Sequence, residues 1–400
     1  MRTHGGNGAM SIAMVGTRGV PARYGGFETA VEEVGRRLVD RGHEVRVYCR
    51  PVDGAAPLDE HLGMQLINRP ALRRRSLETL SHTGLSALHL LVRRTEVAFV
   101  FNCANAPFLP VLRAARIPVA THVDGLEWKR AKWGPAGQRY YRQAEAMAVR
   151  WSDALIADAQ GIADYYRDEF GAVTSMLAYG APVLTDPPSD RLAELGLEPG
   201  GYHLVVARFE PENHVEVAVR GYVSSGARRP LVVVGSAPYS DGYTRRVHAA
   251  ADDRVRFLGG VWDQDQLDQL YAHALTYVHG HSVGGTNPSL LRAIGAGAAT
   301  IAYDVLFNRE VLREDGQYFA TAVDLAQHLE AAERNPAEVA ARGRALQARA
   351  RDYDWDMVAD GYERLARDLR AGRVPGPQAG RRRTASLATS VPLATVGEMR

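Results

Sequence analysis

Short apolar runs alternate with amphipathic stretches along most of the chain. Ser11–Val15 is the first such run and reads as a buried strand. A glycine-rich loop follows, from Gly16-Thr17-Arg18-Gly19-Val20-Pro21 through Gly25-Gly26. Phe27, Ala30, Val31, Val34 and Leu38 then fall at helical spacing, which predicts a helix. Gly42 ends it, and 44–48 reads as a second strand. Strand, glycine loop, helix and strand form a βαβ unit, which implies a parallel sheet. Val97–Phe101, Val119–His122 and Ala154–Ala157 extend that sheet, with a helix over 138–149.

Pro187-Pro188 and Pro199-Gly200-Gly201 bracket a segment between domains. The alternation then restarts. Residues 202–207, Leu231–Val234, 255–258, 275–279 and 299–303 read as strands, with helices around 215–222, 264–273 and 288–294. The pattern predicts an α/β chain of two Rossmann-like domains, 11–185 and 200–354. A terminal helix is predicted over 355–370. Residues 371–400, rich in Arg, Gly, Ser and Thr, read as a disordered basic tail.

Composition narrows the classes. At 400 residues the chain is too long for one ordinary core, and a net charge of +2 gives no field toward nucleic acid. Cys49 and Cys103 sit in apolar, strand-like surroundings without metal-ligand spacing, which fits a reducing cytoplasm. No signal-peptide core precedes the first strand, and no uncharged run is long enough to span a bilayer. A basic, apolar, helix-prone stretch runs from Leu72-Arg73-Arg74-Arg75-Ser76-Leu77 through Leu80, Leu85, Leu88, Leu91 and Val92. It suits either an anionic membrane surface or a core helix with a basic flank. The expected location is the cytoplasm, peripheral at the inner face of the plasma membrane.

Ligands of open parallel sheets bind beyond the carboxyl ends of strands. His279-Gly280-His281-Ser282-Val283-Gly284-Gly285-Thr286-Asn287-Pro288 lies between a strand and a helix, so Gly284, Gly285, Thr286 and Asn287 form a candidate phosphate seat. Arg208 ends another strand and is positioned to neutralise a leaving diphosphate; the alternative is a surface ion pair with Glu210 or Glu212. Gly25 and Gly26 open a helix with the same anion-friendly geometry. His122-Val123-Asp124-Gly125-Leu126-Glu127-Trp128-Lys129-Arg130 packs carboxylates, cations and an aromatic platform together. Asp124 suits a proton acceptor or a helix cap. The G-x-G-x-x-G fingerprint and the P-loop lysine motif are missing, which argues against dehydrogenase and kinase readings. His279 and His281 have no carboxylate at ligand spacing, so no metal site is expected.

These segments, with Met14–Pro21, Tyr24–Thr29, Tyr179-Gly180-Ala181, Ala207–Asn213 and Phe307-Asn308-Arg309-Glu310-Val311, resemble retaining GT-B glycosyltransferases of the family 4 type. That large family includes sucrose synthase and bacterial mannosyltransferases. The stretches look most like its bacterial polysaccharide branch labelled rhamnosyltransferase. The resemblance implies two Rossmann-like domains facing a central cleft, with the final helix crossing back to the first domain. It implies no cofactor and no metal. It also implies a nucleotide-sugar donor, dTDP-rhamnose first and UDP- or GDP-sugars as alternatives, and a glycan or lipid-linked glycan acceptor in cell-surface polysaccharide synthesis.

Carried onto this chain, Asp124, His122 and Arg208 become catalytic. Gly25, Gly26, Arg208, Gly284, Gly285, Thr286, Asn287, Arg292 and Glu310 bind donor, with the backbone of Leu258-Gly259-Gly260 nearby. Glu127, Trp128, Lys129 and Arg130 bind acceptor. The broad family has two glutamates at positions 284 and 292, where this chain has Gly284 and Arg292; its lysine after the Arg208 motif is Asn213 here. Arg292 motivates a second reading, a catalytically silent nucleotide-sugar-binding protein, since a guanidinium only donates where a carboxylate would accept ribose hydroxyls.

Overall fold

The central strands are apolar on both faces, and the architecture follows from the need to cover both. The computed structural model describes residues 8–22, 25–51, 56–72, 77–123, 125–130, 132–235 and 241–383. The first domain carries β1 Ser11–Val15, α1 Gly26–Asp40, β2 Glu44–Cys49, β3 Glu60–His61, β4 Met64–Asn68, α2 Glu78–Val92 and β5 Val97–Phe101. It continues with α3 Leu109–Ala114, β6 Val119–His122, α4 Pro135–Trp151, β7 Ala154–Ala157, α5 Gln160–Phe170 and β8 Ser175–Met176. Its strand order is β3-β4-β2-β1-β5-β6-β7-β8. Neighbours pair in parallel except β3 with β4.

The second domain repeats the plan with β9 His203–Val206, α6 Val215–Val223, β10 Leu231–Val234, α7 Asp241–Ala249, β11 Val255–Gly259, α8 Gln264–Ala272 and β12 Thr276–His279. It closes with α9 Pro288–Gly295, β13 Thr300–Tyr303, α10 Leu306–Leu312, β14 Gln317–Phe319, α11 Ala322–Arg334 and α12 Pro336–Ala350. The sheet is parallel throughout, in the order β11-β10-β9-β12-β13-β14. Two α/β domains with parallel sheets are what the hydrophobic pattern predicts.

The last helix, α13 Trp355–Arg370, buries Trp355, Val358, Ala359, Tyr362, Leu365, Ala366 and Leu369 at helical spacing. Its cap is Asp354, whose carboxylate accepts from the Asp356 and Met357 amides. It crosses to the first domain: the Tyr362 ring meets Phe99 edge-on at 5.1 Å, and Glu363 pairs with Arg41 at 2.9 Å. Tyr179, Ala181 and Trp355 join one apolar core that runs from the first domain into the second.

Residues 371–383 depart from the expected disorder. They lie along the first domain, where the Gly376 amide donates to the Asp153 carbonyl and the Arg383 amide to the Glu169 carbonyl. Arg382 explains why a basic segment settles here. Its guanidinium pairs with the fully buried Glu145 carboxylate and with Glu169 at 2.8 Å, and stacks on Phe170 at 4.7 Å. Charge alone in the sequence does not reveal that a buried acid awaits it. Residues 384–400 lie outside the described residues. Arg382→Ala takes the guanidinium from the buried Glu145 carboxylate, which keeps the Tyr165 hydroxyl, and is expected to cost about 3 kcal/mol, read as a lower midpoint in urea unfolding.

Helix α2 buries the small or polar His82, Thr83, Ser86 and Ala87 together with Leu90. It turns Leu77, Leu85, Leu88, Leu91 and Val92 outward; Val92 is 80% exposed. It is thus neither an ordinary core helix nor a polar surface helix. Arg73, Arg74 and Arg75 lie outside the described residues. Among the described residues no helix is long and apolar enough to cross a membrane.

Candidate active site in the interdomain cleft

Strand order decides which loops meet. β9 and β12 are neighbours, so Arg208, just beyond β9, and residues 280–288, just beyond β12, emerge side by side. β1, β5, β6 and β7 are successive neighbours in the first sheet, and their carboxyl ends supply the facing wall. Between the walls lies a cleft of about 1570 Å³.

The floor is the loop leading into α9. Asn287 caps that helix by accepting from the Ser289 amide at 2.9 Å, and Pro288 occupies its first turn. From the other domain α1 begins at Gly26, whose hydrogen faces Pro288: a Cβ there would stand 2.7 Å from the proline Cγ. Two helix N-termini therefore converge on one region, each adding partial positive charge. Gly285 is tighter still, since a Cβ would stand 1.9 Å from Asp158 Oδ1 of the first domain. Thr286 completes the contact by donating from Oγ1 to the Asp158 carbonyl at 2.6 Å.

Arg208 is exposed and lines the cleft with Gly25, Gly26, Gly284, Gly285, Thr286, Asn287 and Arg292. Arg130 and Lys132 stand on the opposite wall. Arg130 pairs with Glu127 at 2.5 Å and reaches across to Glu212 at 3.4 Å. Burial alone would raise the Glu127 carboxyl, but Arg130, Lys132 and Arg208 together hold it below its ordinary range. The Lys132 ammonium is drawn down by burial, which Glu127 only partly offsets. Arg130, Lys132 and Arg208 thus surround an ionised Glu127 on the cleft lining.

Several sequence-selected residues lie elsewhere. His122 is 2% exposed and sits behind the wall, stacked between Phe101 and Tyr179 with Phe27 edge-on. Burial without a charged partner takes its imidazole down to about 3, so it stays neutral and out of the cleft. The 3₁₀ turn at Glu127–Lys129 carries Trp128 inward, between Lys129 at 5.4 Å and Arg142 at 5.2 Å. Glu127 and Arg130 line the cleft, whereas Trp128, Lys129 and residues 258–260 do not. Asp124 lies outside the described residues.

Glu310 also faces away from the cleft lining. It clasps the first domain instead, accepting from the Gln160 amide at 2.9 Å and the Gly161 amide at 2.7 Å at the start of α5. A carboxylate at a helix N-terminus satisfies the orphan donors there, a role its sequence neighbourhood does not reveal. Arg292 lines the cleft but is tied to Asp268 of α8 at 2.6 Å, so that carboxylate holds its guanidinium.

Sequence reasoning missed Trp133, Lys132, Tyr141 and Asp158, all on the cleft wall. Trp133 takes the position expected of Trp128: it packs on Tyr141 at 5.1 Å and donates to Glu127 at 3.4 Å. The signal was a second tryptophan five residues on, in a segment too irregular to assign a face. His281 donates from Nδ1 to Asn213 Oδ1 at 2.7 Å and is held neutral by burial, with Arg130 and Arg208 adding to the effect. Among the described residues no three metal-ligating side chains gather.

The model of Glycosyltransferase Family 4 matches residues 24–175, and that of Glycosyl transferases group 1 matches residues 194–349. Sucrose-phosphate synthase from Thermosynechococcus elongatus superposes with a TM-score of 0.78 at 21% identity, covering 90% of this chain and 99% of that one. The chain has the GT-B glycosyltransferase fold. Anabaena HepE in complex with UDP-glucose shares this GT-B fold with a TM-score of 0.70 at 15% identity, covering 90% of this chain and 100% of that one. O-antigen chain mannosyltransferase B of Escherichia coli is 26% identical over 153 residues, 36% of this chain. The matched stretches span 23% and 40% of the lengths of the curated relatives.

Proposed function

We propose that the chain transfers a hexosyl group from a nucleotide-diphosphate sugar to a glycan or lipid-linked glycan, with retention at the anomeric carbon and without a metal. The observation that carries this reading is the convergence of the Gly284–Pro288 loop, the starts of α1 and α9, and Arg208 on one cleft between the domains. In the reaction the bond from C1 to the diphosphate oxygen breaks and a bond from C1 to the acceptor oxygen forms on the same face. The acceptor proton passes to the leaving phosphate. Arg208 and the loop stabilise the charge that develops on that phosphate. Glu127 and Trp133 hold acceptor hydroxyls and a sugar face. The donor is dTDP-rhamnose or another nucleotide sugar; the HepE structure with UDP-glucose supports a UDP-sugar as a candidate of equal standing. The setting is cell-surface polysaccharide synthesis at the cytoplasmic membrane face.

Incubation with dTDP-rhamnose, UDP-glucose and GDP-mannose and a panel of glycan acceptors tests the transfer. Release of nucleoside diphosphate that depends on an acceptor supports it. Binding of a donor that no acceptor and no water ever consumes favours the silent binding protein, which the Arg292–Asp268 pair motivates. The outward leucines of α2 are proposed to rest on anionic lipid. Sedimentation with phosphatidylglycerol vesicles is expected to carry the protein down, and Leu88→Glu with Leu91→Glu is expected to keep most of it in the supernatant.

A further inference from the structure

The carboxyl of Asp158, in the first domain, lies directly on the proposed phosphate loop. It leaves β7 at the carboxyl edge of the sheet, is 2% exposed and lines the cleft. Its plane covers the Gly285 Cα so closely that a Cβ would meet Oδ1, Cγ and Oδ2 at 1.9, 2.4 and 2.5 Å. Its own carbonyl accepts from Thr286, so both ends of the residue engage the same peptide. Yet Oδ1 has no hydrogen-bond partner. A buried oxygen without a partner, aimed at a loop built for an anion, calls for an explanation.

An ionised carboxylate there would face a diphosphate at close range, which repulsion forbids. A neutral carboxyl has no such conflict and offers an O–H donor. We infer that Asp158 is a positioning residue that admits the donor diphosphate to the Gly285–Thr286 loop only in its neutral form, so that donor affinity depends on one proton. The inference rests on the nucleotide-sugar reading of the cleft.

The surroundings agree. Burial pushes the Asp158 carboxyl up, and the Glu310 carboxylate across the interface pushes the same way, while its own amide and the Thr286 backbone pull it back; the balance is about 7. Glu310 is itself raised by burial, with the Gln160 and Gly161 amides opposing and Asp164 of α5 adding to the rise. On the neighbouring strand, burial keeps His122 neutral down to about 3, as it does His279 on β12. His281, beside Gly284, stays neutral for the same reason under the added influence of Arg130 and Arg208. These imidazoles therefore do not change charge across the neutral range. A diphosphate diester such as UDP-glucose keeps its charge there too.

The sign follows directly. Donor binds the protonated form, so affinity is full below pH 7 and falls as pH rises above it, by up to about tenfold per pH unit for one linked proton. The test is calorimetric titration of UDP-glucose and of dTDP-rhamnose into wild type and Asp158→Asn between pH 6.0 and 8.5. Asparagine is a neutral donor of the same shape, so the variant is expected to bind at pH 6 as the wild type does and to hold that affinity at pH 8.5. Asp158→Ala, which is neutral without donating, is expected to bind more weakly than wild type at pH 6 and with equally little pH dependence.

A carboxyl with a purely structural role would shift only the melting temperature of the unliganded protein with pH. Parallel affinity profiles in wild type and Asp158→Asn, or a wild-type affinity that does not fall above pH 7, overturn the inference while leaving the nucleotide-sugar reading intact. Failure of the wild type to bind either donor at any pH overturns both.

Discussion

Arg208→Ala is expected to lower kcat by two to three orders of magnitude, while the Michaelis constant for the donor changes far less. Arg208 follows β9, the strand beside β12, so the guanidinium stands exposed in the cleft next to the loop that starts α9. In the proposed reaction the loop and helix ends would contact the diphosphate in the ground state as well as later, so they would contribute mainly to binding. A cation that meets the charge developing on the leaving oxygen contributes most in the transition state, where removal of one such group costs about 10²–10³-fold. Arg208→Lys keeps the charge but loses the bidentate fork, so it is expected to recover only part of the rate. Steady-state kinetics with saturating acceptor separate the two parameters. An unchanged kcat in Arg208→Ala would remove the residue from the chemistry.

The second large effect belongs to Gly285. Its replacement by alanine puts a methyl group 1.9 Å from Asp158 Oδ1, a distance no side chain tolerates. Asp158 is itself boxed in, so relief requires the domains to part. Overpacking of this kind costs about 1–3 kcal/mol, which corresponds to a loss of donor affinity of about five- to 150-fold. The cores confined to each domain are untouched, so the circular dichroism spectrum is expected to stay near wild type and the unfolding midpoint to fall by no more than that cost. Combining Gly285→Ala with Asp158→Ala removes the clash, and donor affinity is then expected to return close to that of Asp158→Ala alone. That coupling separates a steric effect from loss of a ligand contact.

Fold and site differ in how much the sequence reveals. Continuous apolar runs such as 97–101 and 231–234 are unambiguous because strands buried on both faces leave no alternation to misread. The hairpin β3–β4 and the helices α11 and α12 escaped notice. The hairpin is short, and both helices bury only a narrow stripe among charged residues. Loop chemistry was legible where backbone geometry sets it: Pro288 takes the first-turn position its type predicts, and Gly284 has the positive φ that a glycine permits.

Side-chain direction was not legible. His122 and Trp128 point into the wall, whereas Trp133 and Asp158 point out of it, and nothing local distinguishes the two cases. Glu310 shows the deeper limit. Its partners are amides of the other domain, and only the assembled interface brings them within reach. Arg382 repeats the lesson in the tail, where a buried glutamate far back in the chain supplies the reason for order.

The central claim is that the cleft between the domains seats a nucleotide-diphosphate sugar on residues 284–288. Isothermal titration of the protein with UDP-glucose, dTDP-rhamnose and GDP-mannose at pH 6.5 tests it most directly. At least one donor is expected to bind with one-to-one stoichiometry, and Gly285→Ala is expected to weaken that binding without unfolding the protein. No heat from any of the three with the folded wild type, or full donor affinity in Gly285→Ala, would contradict the account.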